Sequence, residues 1–493
     1  MTKLLGIDNG STVTKASVFT LQGEELAVAS APSAVQMVLP GHTERDMNDL
    51  WQTTLTVIKE ALTLANVAPK DITGVAVTGH GNGLYLVDAA GQPVRPAILS
   101  SDHRAKELVQ MWEDGDTKKA VFPMTMQSLW AGQPPALLAW LQQNEPESLH
   151  KTRWIFLCKD YIRFKLTGQA AAERTDLSGS SLFNSRDNCY DHTLLSHYGL
   201  QTLVNKLPPV ISCDEVAGHI TEEVAQVTGL RAGTPVAGGL FDVNASAIAS
   251  GLTDEEKLCI VAGTWSINEY ITKTPVIDPS LFMTSRYCLP NYWLTLEGSP
   301  TSTSNLEWYL KEYFPNEHKE TLYALCNELV MTIAPEESDI LFFPYVYGSN
   351  VHPEAKGCFF GINSWHTKAH MLRALYEGVV FGHKIHLEKL LRHRKSPALI
   401  RLAGGAARST VWTQLFADIL GYPIQTVESR EQGALGAAMC AAVATKQYAS
   451  LHEAAQHMVH TGNVYFPNEQ HQTIYEAKYT RFHSVLHALE HVW

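Results

Sequence analysis

Two short turns carry the residue types that could hold phosphate. The first is Asp8-Asn9-Gly10-Ser11-Thr12, entered by Leu4-Leu5-Gly6-Ile7 and left by the alternating run Val13 to Phe19. The second is Ala262-Gly263-Thr264-Trp265-Ser266, entered by Leu258-Cys259-Ile260-Val261 and left by Ile267 to Ile271. Each spacing predicts strand, tight turn, strand. Glycine lets backbone N–H groups approach an anion and the following hydroxyl adds a donor, so such a hairpin can bind phosphate oxygens without a lysine. A hairpin with no ligand uses glycine at the same place, because its turn also demands it. Recurrence in both halves of the chain favours the functional reading and points to a polyphosphate gripped from both sides. Asp8 precedes the first turn while Val261 holds the matching place in the second. Only the first hairpin therefore offers a carboxylate that could organise a hydrated Mg2+.

Asp242 is the candidate general base. It ends the apolar run Thr234 to Phe241, follows Gly238-Gly239 and precedes the small-residue helix Asn244 to Ala247. A carboxylate at the carboxyl end of a buried strand is rigid and partly desolvated, which suits proton removal from a hydroxyl. A plain helix cap would look similar. Two further groups follow strands in the first half: His80 and Asn82 in Gly79-His80-Gly81-Asn82-Gly83, and Asp102 and Arg104 in Ser101-Asp102-His103-Arg104. Such side chains suit a polyhydroxy ligand, since each hydroxyl needs a partner once it leaves water. The alternatives are a tight turn for the glycines and a surface ion pair for Asp102 with Arg104. In the second half, Gly404-Gly405 with Arg408 fits a backbone that approaches a flat base or its ribose. Walker, nucleophile-elbow and full dinucleotide-fingerprint motifs are absent. His383 and His386 share a helix face without an evident third ligand, and read as solvated or core-satisfied histidines.

The elements that position these residues are legible from periodicity. Asp46 to Ala65 is predicted as a helix, Ile72 to Thr78 as a strand, and Leu84 to Asp88 as a strand returning across Ala90-Gly91-Gln92. His370 to Leu390 reads as a long helix, Ile400 to Ala403 as a strand, and Glu431 to Ala444 as a Gly- and Ala-rich helix where backbones pack closely. Strands and helices mixed in both halves predict α/β twice over, as two diverged copies of one unit. At 493 residues and 45% apolar content the chain has material for two domains. The boundary is expected at 248/249, within a packed hinge near 246–256. A formal charge of −12 without clustered Lys and Arg argues against nucleic acid as a partner. Eight scattered cysteines and no long apolar stretch lead to the expectation of a cytoplasmic protein with reduced thiols and no membrane partner.

Ordered motifs extend this reading. Gly357-x-Phe359-x-Gly361-Ile362, then His370-Met371-x-x-Ala374-Leu375-Tyr376-Glu377, and earlier Gly132-x-Pro134-x-x-Leu137-Leu138-x-Trp140-Leu141-x-Gln143-Asn144, resemble the two signatures of the FGGY carbohydrate kinases, with Leu137 where lysine is usual. The resemblance runs over nearly the whole chain and places it in the actin-like ATPase superfamily. It implies two ribonuclease-H-like α/β domains around a central cleft, residues 1–248 mainly for sugar and 249–493 mainly for ATP, with a homodimer as the assembly to test. It further implies Asp242 as base, Asp8 with Asp242 at Mg2+, and His80, Asn82, Asp102, Arg104 and Asp242 at the sugar. Gly10, Ser11, Thr12, Lys15, Gly263 and Thr264 would bind the phosphates of ATP, and Gly404, Gly405 and Arg408 its adenosine.

Within the family, Ala97 to Ala105, Ser299 to Trp308 and Phe343 to Asn350 resemble the branch that phosphorylates L-xylulose. Ser100 and Asn82 stand where many D-xylulose kinases carry tryptophan and histidine. A terminal hydroxyl of L-xylulose is thus the expected acceptor, with another ketose, a polyol or a sugar acid as alternatives. An actin-like ATPase that senses or assembles would share the nucleotide residues, but has no need of His80, Asn82, Asp102 and Arg104.

Overall fold

The computed structural model describes residues 2–314 and 319–493, which form two compact units. The units do not divide at one point. The first comprises 1–253, 272–294 and 431–459, and the second 254–271, 295–430 and 460–493. The single cut expected at 248/249 thus leaves out the return of the helix Gln432–Ala444 to the first unit.

In the first unit a sheet runs in the order 216–219, 235–237, 72–79, 3–9, 13–20, 25–32. The strands Lys3–Asn9 and Val13–Thr20 form the expected hairpin, with Asp8 opposite Lys15 and Asn9 opposite Thr14. Ile72–Gly79 then lies parallel to Lys3–Asn9 on its other side. The alternation along Lys3–Asn9 explains its place. Leu5 and Ile7 join a core with Val75, Val77, Trp51, Leu55, Ile58 and Ile162. That core is covered by the helices Met47–Leu64 and Cys158–Thr167, the first capped by the Asp46 carboxylate on the N–H groups of Asn48 and Asp49. Gly6 faces the other way, onto Gln432–Ala444. A Cβ on Gly6 would lie 1.9 Å from the Ala434 carbonyl oxygen, and one on Gly74 3.1 Å from that of Ala441. The glycines let this helix lie directly on the sheet backbone.

The second unit repeats the local plan. Lys257–Ala262 and Ser266–Thr272 form a hairpin, and Leu399–Gly404 lies parallel to the first of them. Ile424–Val427 and Thr461–Tyr465 extend the sheet. The helices Lys368–Leu391, Thr410–Leu420 and Glu469–Leu489 pack in sequence beside it. No helix among the described residues is long and apolar enough to cross a membrane.

Gly6→Ala tests the close approach. The added carbon meets backbone, which cannot swing aside, so the substitution is expected to cost roughly 3 kcal/mol or more, read as a lower urea midpoint at unchanged slope. A midpoint within experimental error of the parent would show that the helix does not rest on this strand.

Candidate active site

Asp8 and Asp242 are brought together by one strand. Asp8 pairs with Thr78 on one side of Ile72–Gly79, and the short strand Leu240–Phe241 pairs with Thr78 and Gly79 on the other. Two strand spacings separate Asp8 from Leu240, about 10 Å, and Asp242 begins a helix immediately after Phe241. The predicted continuous strand is interrupted. Gly239 takes a left-handed φ of 79°, and a Cβ there would sit 1.9 Å from the Val77 carbonyl oxygen. The helix starts at Asp242 rather than Asn244.

Each residue leading to Asp242 is tethered. The Arg163 guanidinium donates to the Gly238 carbonyl at 2.5 Å, the Thr78 hydroxyl to the Leu240 carbonyl at 2.8 Å, and the Phe241 N–H to the Thr175 hydroxyl at 3.1 Å. The Phe241 ring fills the space a side chain would need at Gly81 and Gly179. The Asp242 carboxylate accepts the Val243 N–H at 2.8 Å. Across the helix interface, a Cβ on Gly436 would meet the Ala245 carbonyl oxygen at 2.4 Å, and one on Gly433 the Asp8 carboxylate oxygen Oδ2 at 2.4 Å. The helix Gln432–Ala444 thus touches both the Asp8 side chain and the helix that carries Asp242.

This packing sets the electrostatics. Burial, with the Asp8 charge adding to it, raises Asp242 from its ordinary 3.8 to about 7. Burial raises Asp8 to about 6, opposed by Lys15 and reinforced by Glu431. Lys15 pairs with Glu431 at 2.7 Å. Among the described residues no group of three or more His, Cys, Asp or Glu could hold a metal ion. The Asp8 and Asp242 carboxylates are hard oxygen donors of the kind that fit Mg2+, which keeps water in the rest of its shell.

The two hairpins share a glycine at the start of the turn but differ in span, the first turn covering 10–13 and the second 263–265. At the first, the Gly10 N–H donates to the Val13 carbonyl at 3.0 Å, and at the second the Gly263 N–H donates to the Trp265 carbonyl at 3.2 Å. Ser11 and Thr12 are exposed. In the second unit the strand register sets Ala262 beside Gly404, so Gly263, Thr264, Gly404 and Gly405 fall at one end of the sheet. Gly404 has φ 86°, and Arg408 closes the short turn that follows as an exposed side chain. The two helix histidines are core-satisfied. His383 bonds Asn268 at 2.9 Å and Ser302 at 2.9 Å, and His386 bonds Ser299 at 3.0 Å and Glu297 at 3.1 Å. Burial, with the neighbouring His386, lowers His383 to about 3 and keeps it neutral.

The sugar candidates separate into satisfied and unsatisfied groups. All four acceptor positions of the Asp102 carboxylate are taken: by the N–H groups of Thr43 and Arg104, and by two guanidinium donors of Arg104. Arg104 also reaches Glu44 at 2.8 Å. The pair is buried, not a surface ion pair, and ties the 97–105 segment to the 42–45 strand. His80 is buried and neutral, lowered to about 3 by burial and then by the Arg45 charge, with its ring nitrogens on the Tyr85 hydroxyl and the Gly81 carbonyl. Asn82, at φ 60°, is buried, and among the described residues its side-chain oxygen has no partner.

Three sets of neighbours escaped the sequence reading. Asp176 is a buried carboxylate in the field of Asp242, ion-paired with Lys159 at 3.4 Å, and among the described residues its oxygens accept no hydrogen bond. Arg45 lies behind the first hairpin, and Thr303 with Ser304 behind the second. None carries a local signal, because the groups they serve lie tens of residues away or more.

Comparison with known proteins gives a consistent result. Residues 3–249 match the N-terminal domain of the FGGY family of carbohydrate kinases, and residues 258–445 its C-terminal domain. The chain is 37% identical to a probable L-xylulose kinase of Pasteurella multocida, over 99% of both chains. It is 36% identical to the L-xylulose/3-keto-L-gulonate kinase of Escherichia coli, over 99% of this chain and 97% of that one. Among solved structures, a xylulose kinase from Rhodospirillum rubrum aligns with TM-score 0.86 at 27% identity, covering 99% of each chain.

The buried charge of Asp242 has a consequence for stability. Its folded value lies above its unfolded one, so the ionised form is disfavoured in the folded chain. That cost is absent below about pH 4, grows as pH rises, and is complete above about 7. Asp242→Asn should therefore raise the melting temperature by a few degrees at pH 8, roughly 1–4 kcal/mol, and leave it unchanged near pH 4. Equal melting at pH 8 would place the carboxylate in a solvated setting.

Proposed function

Because this chain belongs to the FGGY family of carbohydrate kinases, we propose that it transfers the γ-phosphoryl group of ATP to the terminal primary hydroxyl of L-xylulose, giving L-xylulose 5-phosphate and ADP. The observation that carries the reading is the Asp8–Asp242 pair, set on either side of one strand, with Asp242 brought to a proton affinity near neutrality by burial and then by the Asp8 charge. Such a carboxylate is matched to taking a proton from a hydroxyl at physiological pH. Asp242 accepts that proton as the hydroxyl oxygen bonds to γ-phosphorus and the bond from γ-phosphorus to the bridging oxygen of ADP breaks.

The first unit supplies the N–H groups and hydroxyls of Gly10, Ser11 and Thr12, with Lys15, for phosphate oxygens. The second supplies Gly263 and Thr264 for phosphate, and Gly404, Gly405 and Arg408 for adenosine. Mg2+ held through Asp8 and Asp242 supplies neutralisation of phosphate charge when bound. Asn82 faces the sugar, while His80, Asp102 and Arg104 fix the segments around it. L-xylulose is favoured because both relatives at 37% and 36% identity carry that sugar in their names. The second relative's name also includes 3-keto-L-gulonate, so a sugar acid is the second reading.

The test is ADP release with Mg-ATP across L-xylulose, 3-keto-L-gulonate, D-xylulose, L-ribulose, D-ribulose, glycerol and gluconate. The expected result is highest kcat/KM for L-xylulose and loss of at least about 10²-fold in Asp242→Asn, in the range typical of general acid–base catalysis. Preference for another member keeps the base and replaces the sugar; turnover independent of any sugar favours the ATPase reading. Gly433→Ala probes Asp8 without touching it. The new carbon displaces the Asp8 carboxylate rather than backbone, so kcat should fall about 10²-fold, as misplacement near 1 Å does, with melting within a few degrees. Unchanged kcat would remove Asp8 from the reacting centre.

A further inference from the structure

Behind the first hairpin lies a charge that the mechanism above does not use. Arg45 is 2% exposed, and its guanidinium donates to the carbonyl oxygens of Gly10, at 3.4 Å, and Ser11. Among the described residues its Nε has no hydrogen-bond partner and Arg45 forms no ion pair. The adjacent carboxylate, Glu44, pairs with Arg95 and Arg104 instead. A buried guanidinium without a counter-ion is expensive unless an anion completes it.

Peptide geometry gives the two hydrogen bonds a direction. In a trans peptide the C=O and the following N–H point to opposite sides. Holding the Gly10 and Ser11 oxygens on the Arg45 side therefore turns the N–H groups of Ser11 and Thr12 away from it, and neither finds an acceptor among the described residues. The second hairpin is built the same way with neutral groups. The Thr303 N–H and hydroxyl hold the Gly263 oxygen at 2.9 and 2.8 Å, and the Ser304 hydroxyl holds the Thr264 oxygen at 3.0 Å. Both turns are thus drawn from behind by their carbonyls, and only the turn beside Asp8 is drawn by a cation.

We infer that Arg45 is a positioning residue of the first phosphate turn, fixing the Ser11 and Thr12 N–H groups toward the ATP phosphates and placing an uncompensated positive charge beneath them. The inference rests on the proposed role of Gly10 to Thr12 in phosphate binding. Arg45 needs no contact with substrate to act in this way. The two effects reinforce each other, because a preorganised donor pair in a low-dielectric setting binds an anion more strongly when a fixed cation lies behind it.

Arg45→Met and Arg45→Lys separate this role from a structural one. Steady-state kinetics give KM for ATP and for the sugar, and calorimetry gives the affinities of ATP and of adenosine. In Arg45→Met, kcat/KM for ATP should fall about 10²-fold, ATP affinity should fall toward that of adenosine, and adenosine affinity and sugar KM should stay within about twofold of the parent. Arg45→Lys keeps the charge but loses the fork, and should recover at least about tenfold of that loss. Unchanged ATP parameters in Arg45→Met, or sugar KM and adenosine affinity rising with KM for ATP, would overturn the inference. If Arg45→Met does not fold, Arg45→Lys decides: weaker ATP binding at unchanged adenosine affinity supports it, and equal change or none overturns it. Failure of the parent to phosphorylate any sugar would instead defeat the functional reading, and the contrast between ATP and adenosine would still judge Arg45.

Discussion

The site depends on how closely one helix approaches two carboxylates. Gln432–Ala444 can lie on the strand of Asp8 and the helix of Asp242 only because Gly6, Gly433 and Gly436 leave out side chains at the contacts. A helix at this distance excludes water from one side of both carboxylates, and among the described residues no cation pairs with Asp242. Its proton affinity rises as a direct result. The same contact that positions the proposed base Asp242 therefore raises its proton affinity. The cost is a destabilising charge in the folded chain at neutral pH, a common relation between active sites and stability.

Around this contact the chain repeats one device with different chemistry. Each unit begins with a hairpin whose first strand has a later strand parallel to it, and each hairpin turn is held from behind by its carbonyls. Holding carbonyls is an economical way to aim N–H groups, since the peptide plane carries the orientation across. The units diverge in what does the holding. In the second, Thr303 and Ser304 are neutral and stand beside a network of serines around His383 and His386. In the first, Arg45 brings charge to the side of the molecule where Asp8 and Asp242 crowd together. That charge also reaches His80, adding to the burial that keeps it neutral.

Sequence periodicity made the hairpins, the Asp46-capped helix, the parallel strands and the Gly- and Ala-rich helix legible, because each is written in local spacing. It placed the second helix of the site two residues late, since the left-handed bend at Gly239 depends on the Val77 carbonyl of a distant strand. It read Asp102 with Arg104 as open to a ligand or to solvent, because nothing local reveals that Thr43 and Glu44 complete them. Arg45 was invisible for the same reason. An arginine before a helix looks like surface charge until the turn it serves, some 34 residues earlier, is known to lie against it.

Specificity can now be argued from what is left unsatisfied. A buried polar atom whose bonds are complete cannot distinguish two sugars, because neither epimer offers it anything. An incomplete one penalises the ligand that fails to complete it, which is how polar sites discriminate. His80 and Asp102 have partners within the protein, whereas the Asn82 oxygen and the Asp176 carboxylate have hydrogen-bonding capacity unused. The Asn82 oxygen is an acceptor and calls for a hydroxyl donor, whereas burial raises the proton affinity of Asp176, which can accept from a hydroxyl when ionised or donate when protonated. Asp176 lies in the field of Asp242, and Gly81, the residue before Asn82, packs against the ring of Phe241, the residue before Asp242. Under the proposed reading, the choice between epimers falls to whichever hydroxyls reach these groups while the terminal oxygen meets Asp242. On that reading a common scaffold serves different sugars by changing very few side chains, since the glycine contacts that set the proposed base need not change with the sugar.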